Sequence, residues 1–476
     1  MQPAPPSSAH QAHEASSISN PHTRAIAQFV AQLRYEDIPS EVITRIKLLI
    51  LDSLGCALYG SALPWSRILR ATLQKLDVTK ACRVWGTAER LSAAHAALAN
   101  GTLIQSFELD DVHRQGVLHV GAVTLPPLIA ITELRPGMNG RDFLRAAVAG
   151  YEIGPRVGKC MGPQHIGQGW HSGATVGVFS AVSGAAAALH LSSEQAVHAL
   201  GIAGTQSCGL MAAQYGAMVK RMHAGRAAQS GLYAALLAES GFTGIVDVFE
   251  SRYGGFCSTF SRSEDRFNLA ELSRELGRQW ETLRISLKFY SCVGSNHTTL
   301  DAIRAMRVRT PFGPDDVESI VVHGSHVTVE HVGWPYQPQG LTAAQLNLAF
   351  CVATLLLEGD VFVDQFTDAA VSSKDRIALS RKVSVVHDPA ITERGPDYRH
   401  MVRVEVRLKN GDKLERIVEA PRGSERSFAS EADIVQKFKK LATHAVSDAK
   451  ADDLVNLVLG ADRLTRAEQL AEILAA

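Results

Sequence analysis

The segment from Gly173 to Leu189 is almost wholly small and apolar, and it is shorter than the roughly 20 residues that cross a bilayer. A helix of this composition needs neighbours on every side. Ser40 precedes a second apolar helix, 41–60, and Ser192 with Gln195 predicts a capping box before a third. The sequence therefore predicts a large domain of closely packed helices. Helical periodicity also covers 23–39, 91–104, 128–134, 141–151 and 220–240.

The pattern changes near Leu283, where segments that alternate and carry β-branched residues begin. They predict strands in 317–332, 381–389 and 401–421, with a hairpin turn at 409–412 and a helix at 343–358. A chain of 476 residues is too long for one ordinary core. The predicted fold class is mainly α with two domains. The predicted parts are a disordered tail (1–22), a large all-α helical domain (23–282), a smaller α+β lid domain (283–421) and C-terminal helices returning to the helical domain (422–476).

Charge and cysteine content narrow the possible functions. Lys+Arg and Asp+Glu both number 48, so no net charge attracts nucleic acid or a membrane surface. The seven cysteines are scattered without a CxxC motif, as in buried thiols of a reducing compartment. The N-terminal residues lack the apolar core of a signal peptide, so we expect a cytoplasmic protein.

The sequence gives no sign of a metal or other cofactor, and we expect none. The best remaining metal candidates are the pairs His323/His326 and His326/His331. On a predicted strand the members of each pair would point to opposite faces, which does not suit a shared metal ion.

The stretch from Gln105 to Pro127 holds the densest group of candidate catalytic residues. Glu108, Asp111, His113 and His119 stand close together there, just before apolar sequence. Buried carboxylates beside imidazoles need partners, and their pKa values can be shifted toward acid–base catalysis. The alternative is a structural loop in which Asp111 and His113 cap a helix end.

Further candidates follow along the chain. His171 lies between glycines just before the buried helix. Lys220 follows a run of small residues and is expected to need an anion, which a substrate carboxylate would supply. For Arg221 a solvent-exposed helix face is favoured. Lys288 precedes His297 by nine residues, and Tyr336 sits between two prolines on a loop that reaches a cleft or packs as a core aromatic.

Five sequence motifs, taken together, resemble those of one known family. ELDD followed by a histidine, GWHSGAT, GLMAAQYGAMVKRMHAG, YGGF and the Lys288/His297 pair occur in the order found in the MmgE/PrpD family. Its members include 2-methylcitrate dehydratase, cis-aconitate decarboxylase and iminodisuccinate epimerase. The resemblance implies a helical domain with an α+β lid, a homodimer, and a small polycarboxylate substrate.

Within the family the chain is most similar to the fungal cis-aconitate decarboxylases, on the stretches ELDDVHRQGVLH, TQSCGLMAAQYGAMVKR and SRYGGF. The candidate site residues form two groups, of which the resemblance implies the catalytic group and Tyr336. The implied catalytic residues are His119, Glu108, His171, Lys220 and Lys288, and the candidate substrate-binding residues are Tyr336, His297, Asp111, His113 and Arg221. Many members have His-Pro-Ser where this chain has His119-Val120-Gly121, and Glu108 replaces an aspartate.

Three functions fit these residues. The first is a cofactor-free lyase that decarboxylates cis-aconitate to itaconate, with His119 as proton donor. The second is a hydro-lyase acting on 2-methylcitrate or a longer alkylcitrate, with His119 or His171 as base. The third is a helical protein that binds a polycarboxylate without catalysis.

Overall fold

The structure, a computed structural model, describes residues 19–162, 164–215 and 217–475. The predicted disordered tail lies outside the described residues except for its last four. Of these, Pro21 already begins the first helix, and Asn20 is buried with its side-chain amide donating to the carbonyl of Val246 at 2.6 Å. Helical structure thus starts two residues before the predicted Thr23.

Helices dominate the described residues, and most of the chain before Leu283 is helical. The helices of that part are α1 (Pro21–Gln32), α2 (Ser40–Gly60), α3 (Pro64–Leu76), α4 (Ala93–Ile104), α5 (Val120–Leu134), α6 (Gly140–Met161), α7 (Gln164–Gly167), α8 (Ser172–Thr175), α9 (Gly177–Ala188), α10 (Ser193–Gly204), α11 (Val219–Glu239), α12 (Phe256–Ser261) and α13 (Ala270–Ser273). The later helices are α14 (Gly294–Arg309), α15 (His326–Val332), α16 (Leu341–Leu346), α17 (Leu348–Glu358), α18 (Asp368–Val371), α19 (Lys374–Ser380), α20 (Pro389–Glu393), α21 (Glu431–Ala442), α22 (Asp448–Leu459) and α23 (Gln469–Ile473). The fold is therefore mainly α, as predicted.

The apolar segment that begins at Gly173 forms the centre of the helical part. Every residue of α9 is buried, and α9 packs against α5, α6, α10 and α11. The predicted single helix is divided, because α8 ends at Thr175 and α9 begins at Gly177. The predicted capping box is confirmed, with Ser192 and Gln195 bonded reciprocally at the start of α10.

Two glycines let α4 and α11 approach closely. A Cβ atom on Gly101 would lie only 2.7 Å from the Cα atom of Gly225, so a larger residue would force the helices apart. The crossing lies near the end of α4 and near the start of α11. The loop that follows α4 is therefore held beside the first turn of α11, and this places Glu108 next to Lys220.

The strands form small sheets. They are β1 (Cys82–Arg83), β2 (Arg90–Leu91), β3 (Val112–His113), β4 (Ile285–Ser286), β5 (Val317–Gly324), β6 (Val383–His387), β7 (Val402–Leu408) and β8 (Lys413–Val418). The largest sheet has the order β6-β5-β7-β8, with β5 parallel to β6 and the other pairs antiparallel. The predicted hairpin between β7 and β8 is confirmed.

The strand predicted at 317–332 is half wrong. β5 ends at Gly324, and the Ser325 side chain accepts the N–H of Thr328 to start α15. His326 and His331 therefore lie on a helix, and the strand argument against a shared metal ion does not apply to them. The helix predicted at 343–358 is also interrupted, because Asn347 leaves the helical conformation between α16 and α17.

The C-terminal helices α21 and α22 pack against α2 in the helical part of the molecule. Among the described helices, no single one is long and apolar enough to cross a membrane. Helices α2 and α3 reach that length and composition only when they are taken together, and the chain bends by 82° between them. Most of α2 is buried in the protein core.

Candidate active site

Three cationic side chains converge on one buried carboxylate. Oε1 of Glu108 accepts hydrogen bonds from Lys220 and from Nη1 of Arg221, the latter at 2.8 Å. Nζ of Lys288 lies 3.4 Å from Oε2. Lys220 and Arg221 come from α11, and Lys288 from the loop after β4. The sequence-predicted residues Glu108, Lys220, Lys288 and Arg221 are thus brought together.

The charge state of Glu108 is set by these neighbours. Burial alone would raise the pKa of its carboxyl group, but Lys220, Lys288 and Arg221 hold that pKa well below its usual range. Glu108 also has a φ of 57°, in the left-handed region that non-glycine residues rarely adopt. Such a conformation costs roughly 1–2 kcal/mol, so surrounding contacts must fix this residue.

His119 occupies the N-cap position of α5, beside this cluster. Its Nδ1 lies 3.0 Å from Oδ2 of Asp110, at an angle that leaves both atoms without a hydrogen bond. The side chain is 15% exposed, so a ligand can reach it. Asp110 faces Nδ1, and Nε2 is therefore the nitrogen suited to exchange a proton with a substrate.

Asp111 supports the helix that carries His119. Its carboxyl group accepts the backbone N–H of Gly121 at 3.0 Å and the hydroxyl of Tyr151 at 2.9 Å. Burial, together with the charge of Asp110, raises the pKa of Asp111 to about 8. The contacts with Gly121 and Tyr151 fit a positioning role. The predicted contact of Asp111 with substrate stays a prediction.

His171 and His223 form a second part of the site. Their ring centroids are 4.9 Å apart, and Nδ1 of each ring is buried without a hydrogen-bond partner among the described residues. Burial lowers the pKa of His171 well below its usual value, and the charge of Lys220 lowers it further. Burial and Lys220 also lower the pKa of His223. Both rings are therefore neutral near pH 7 and suited to accept a proton or a hydrogen bond.

Gln105 belongs to the same neighbourhood. A Cβ atom on Gly173 would lie 2.9 Å from His171 and 3.6 Å from the Gln105 amide nitrogen. Both polar atoms of the Gln105 side chain are buried without partners in the described part of the chain. Gln105 and His223 were not among the predicted site residues. The spacing of three between Lys220 and His223, which puts both on one face of α11, could have indicated the second.

The expectation of a solvent-exposed Arg221 is wrong. Arg221 is only 4% exposed, because α11 packs on α4 and directs the guanidinium toward Glu108 and the ring of Trp65. Lys220 is also largely buried. Burial lowers the pKa of Lys220, an effect that the adjacent Glu108 carboxylate opposes.

Three predicted site residues have partners outside the cluster. Nε2 of His113 is 2.9 Å from Glu281, and its Nδ1 accepts the N–H of Gly116. His297 is 3.2 Å from the carbonyl of Cys292. Tyr336 donates its hydroxyl to the carbonyl of Val371, and burial raises its pKa to about 12. These contacts fit structural roles, and their predicted contacts with substrate stay predictions.

A cavity of about 580 Å³ adjoins the cluster through Arg221. Its walls are mixed. The apolar lining includes Trp65, Trp334 and Leu341, and the polar lining includes Glu330, His331 and Gln339 beside Arg221. Arg221 thus contacts Glu108 and also lines a space large enough for a small ligand. Across residues 19–162, 164–215 and 217–475, no group of three or more His, Cys, Asp or Glu side chains is placed to hold a metal ion.

Comparison with known proteins identifies the family. The sequence profile of the MmgE/PrpD N-terminal domain matches residues 24–268, and that of the MmgE/PrpD C-terminal domain matches residues 290–461. The chain belongs to the MmgE/PrpD family. It is therefore a lyase, which confirms the predicted enzyme class.

Several relatives match nearly the whole length of this MmgE/PrpD protein. A cis-aconitate decarboxylase-like protein of Aspergillus oryzae is 35% identical over 470 residues, covering 95% of this chain and 96% of the relative. The cis-aconitate decarboxylase of Aspergillus terreus is 33% identical over 469 residues, covering 95% of each chain. The cis-aconitate decarboxylase of Mus musculus is 26% identical over 450 residues, covering 92% of this chain and 90% of the relative.

The structure explains how this MmgE/PrpD chain accommodates Val120-Gly121 after His119. A Cβ atom on Gly121 would lie 2.0 Å from the hydroxyl of Ser53 and 2.8 Å from that of Tyr151. Any larger residue here would displace the first turn of α5. Gly121 therefore allows the close contact with Asp111 and Tyr151 that fixes the position of His119.

Proposed function

We propose that the protein decarboxylates cis-aconitate, or a closely similar tricarboxylate, to an itaconate-type product without a cofactor. The observation that carries this proposal is the cluster around Glu108. Three cations face a single carboxylate there, an excess of two positive charges if all are ionised. A substrate with two or three carboxylates supplies the missing negative charge. The relatives from both Aspergillus species support the same substrate class.

The chemistry requires charge stabilisation and one proton. The bond between the CH2 carbon of cis-aconitate and its carboxylate breaks, and CO2 leaves. The electron pair spreads over the adjacent alkene, so negative charge develops at the far allylic carbon beside another carboxylate. In this proposal Lys220 and Lys288 stabilise that charge electrostatically. A proton then joins the far carbon, and the alkene moves by one bond.

We assign this proton to His119. It stands at the N-terminus of a helix, its side chain is 15% exposed, and Asp110 faces its Nδ1 side. His171 is neutral because burial lowers its pKa, so it suits a hydrogen-bond acceptor or a base. His119 then acts as the acid and His171 as a polar group that orients the substrate.

A second candidate is a hydro-lyase acting on 2-methylcitrate or a longer alkylcitrate. The apolar part of the cavity beside Arg221 favours it, since an alkyl group could occupy the space near Trp65 and Trp334. The neutral His171 would then remove the proton α to a carboxylate. The third alternative, a binding protein without catalysis, is wrong because the chain belongs to a family of lyases.

A two-substrate assay tests the proposal. Pure protein is incubated with cis-aconitate and, separately, with 2-methylcitrate, while CO2 release and alkene absorbance are followed. We expect CO2 from cis-aconitate, at a rate that survives exhaustive chelation. Alkene formation from 2-methylcitrate without CO2 release would favour the hydro-lyase. A strict requirement for iron or zinc would contradict the cofactor-free mechanism.

We further propose a two-domain arrangement, in which the part from 283 to 421 acts as a lid over the helical domain. We also propose a cytoplasmic location.

A homodimer through the helical domain is also proposed. Large apolar side chains there are exposed, including Leu210 at 60%, Phe242 at 61% and Tyr253 at 96%. Light scattering at micromolar concentration should give twice the chain mass of 51.3 kDa. A monomeric mass would contradict the dimer.

A further inference from the structure

One buried ammonium group lies behind the loop that carries Glu108. Nζ of Lys437, on α21, donates to Oδ1 of Asp52 at 2.5 Å and to the backbone carbonyl of Leu109 at 2.8 Å. Lys437 is 3% exposed, and Asp52 on α2 is 1% exposed. The lysine thus joins the C-terminal helices to α2 and to the candidate catalytic loop.

The surroundings keep Lys437 charged. Burial alone would lower its pKa, but Asp52, assisted by Cys56 and Asp110, raises the pKa above its usual value. A buried ammonium of this kind is strongly bound to its partners, since removing either one leaves an uncompensated charge.

The backbone carbonyl of Leu109, which accepts the hydrogen bond from Lys437, lies between Glu108 and Asp110 of the candidate site. Glu108, on one side of Leu109, contacts the three cations. Asp110, on the other side, lies 3.0 Å from Nδ1 of His119. Glu108 also has the left-handed backbone that surrounding contacts must maintain. The hydrogen bond from Lys437 to the carbonyl of Leu109, the residue after Glu108, is one such contact.

We propose that Lys437 is a positioning residue for the reaction. Held by Asp52, its ammonium group fixes the peptide of Leu109 and thereby sets where Glu108 and Asp110 stand relative to His119. It touches no substrate. This inference rests on the proposed function, because it assigns a role to the same loop.

A purely structural ion pair between α2 and α21 would have different consequences. Loss of a structural contact lowers the fraction of folded protein and leaves each folded site fully active. Loss of a positioning contact leaves folded sites that bind ligand and turn over slowly, because a displacement of about 1 Å can cost about 100-fold in rate. The rate per ligand-binding site therefore separates the two roles.

The test compares Lys437→Met with the wild-type protein. Binding sites are counted by calorimetric titration with tricarballylate, a saturated tricarboxylate, and turnover is divided by that count. We expect the turnover number per site to fall about 10- to 100-fold, with KM changed by less than about threefold. Lys440→Met is the matched control. Lys440 lies on the same helix with 51% of its side chain exposed, so this variant should match the wild type.

A rate per titrated site within about threefold of wild type in Lys437→Met would overturn the proposal. If that variant does not fold, the double variant Asp52→Leu/Lys437→Met replaces the pair with apolar residues, which often preserves stability. It should show the same loss per site, and normal turnover per site would again overturn the proposal. Wild-type turnover is measured first. Failure of the proposed function therefore shows in the wild type, and failure of the Lys437 role shows only in the variants.

Discussion

Replacing His119 with alanine should lower the turnover number by about 100- to 10,000-fold, the range for loss of a proton donor. The imidazole stands at the start of α5, fixed by the Gly121 contact with Asp111 and flanked by Asp110. Since His119 is not one of the cations that hold Glu108, we expect a smaller change in KM. Turnover is measured by CO2 release from cis-aconitate at saturating concentration.

His95→Ala is the control for this variant. His95 is a partly exposed histidine on α4 that pairs with Asp77, outside the charge cluster. It should leave turnover unchanged, and thermal unfolding should show that both variants are folded. Near-normal turnover in His119→Ala would contradict its assignment and move the acid–base role to His171.

Replacing Lys220 with alanine should lower kcat/KM by about 10- to 150-fold. This is the loss of one charge-assisted hydrogen bond worth about 1.5–3 kcal/mol. Lys220 is bonded to Glu108 in the structure, so a substrate carboxylate must share or replace this internal anion. We expect KM to rise because binding charge is lost. We also expect kcat to fall, because Lys220 stabilises the developing negative charge.

Arg226→Ala on the same helix is the control, because Arg226 is exposed and bonds to Gln229. Its kcat and KM should match those of the wild type. If Lys220→Ala changed neither constant, Lys220 would be a structural partner of Glu108 alone.

Local patterns predicted much of the fold. The strand and turn residues of 401–421 predicted the hairpin of β7 and β8. Ser192 and Gln195 form the predicted capping box at the start of α10. The prediction for 317–332 was half wrong, because alternation continues past Gly324 although Ser325 caps a helix. The N-terminus of α5 was also missed. The helix predicted at 128–134 began too late, because Pro126 and Pro127 lie inside the helix that begins at Val120.

In the candidate site, too, local sequence patterns predicted some features and missed others. Glu108, Lys220 and Lys288 were predicted as site residues, and they do meet. No local pattern could show that Arg221 is buried, since that depends on how closely Gly101 and Gly225 let two helices approach. Lys437 lies 328 residues from the carbonyl that it holds, so only the tertiary structure reveals that contact.

Proton NMR of the reaction in D2O tests the central claim most directly. Wild-type protein is incubated with cis-aconitate, and the product spectrum is integrated. If CO2 loss is followed by proton delivery from a solvent-exchanged histidine, the product is itaconate with one deuterium at its saturated methylene carbon. Its vinylidene group keeps both protons. A product with two protons at that methylene carbon, or a hydrated tricarboxylate formed without CO2 release, would contradict decarboxylation with His119 as the proton donor.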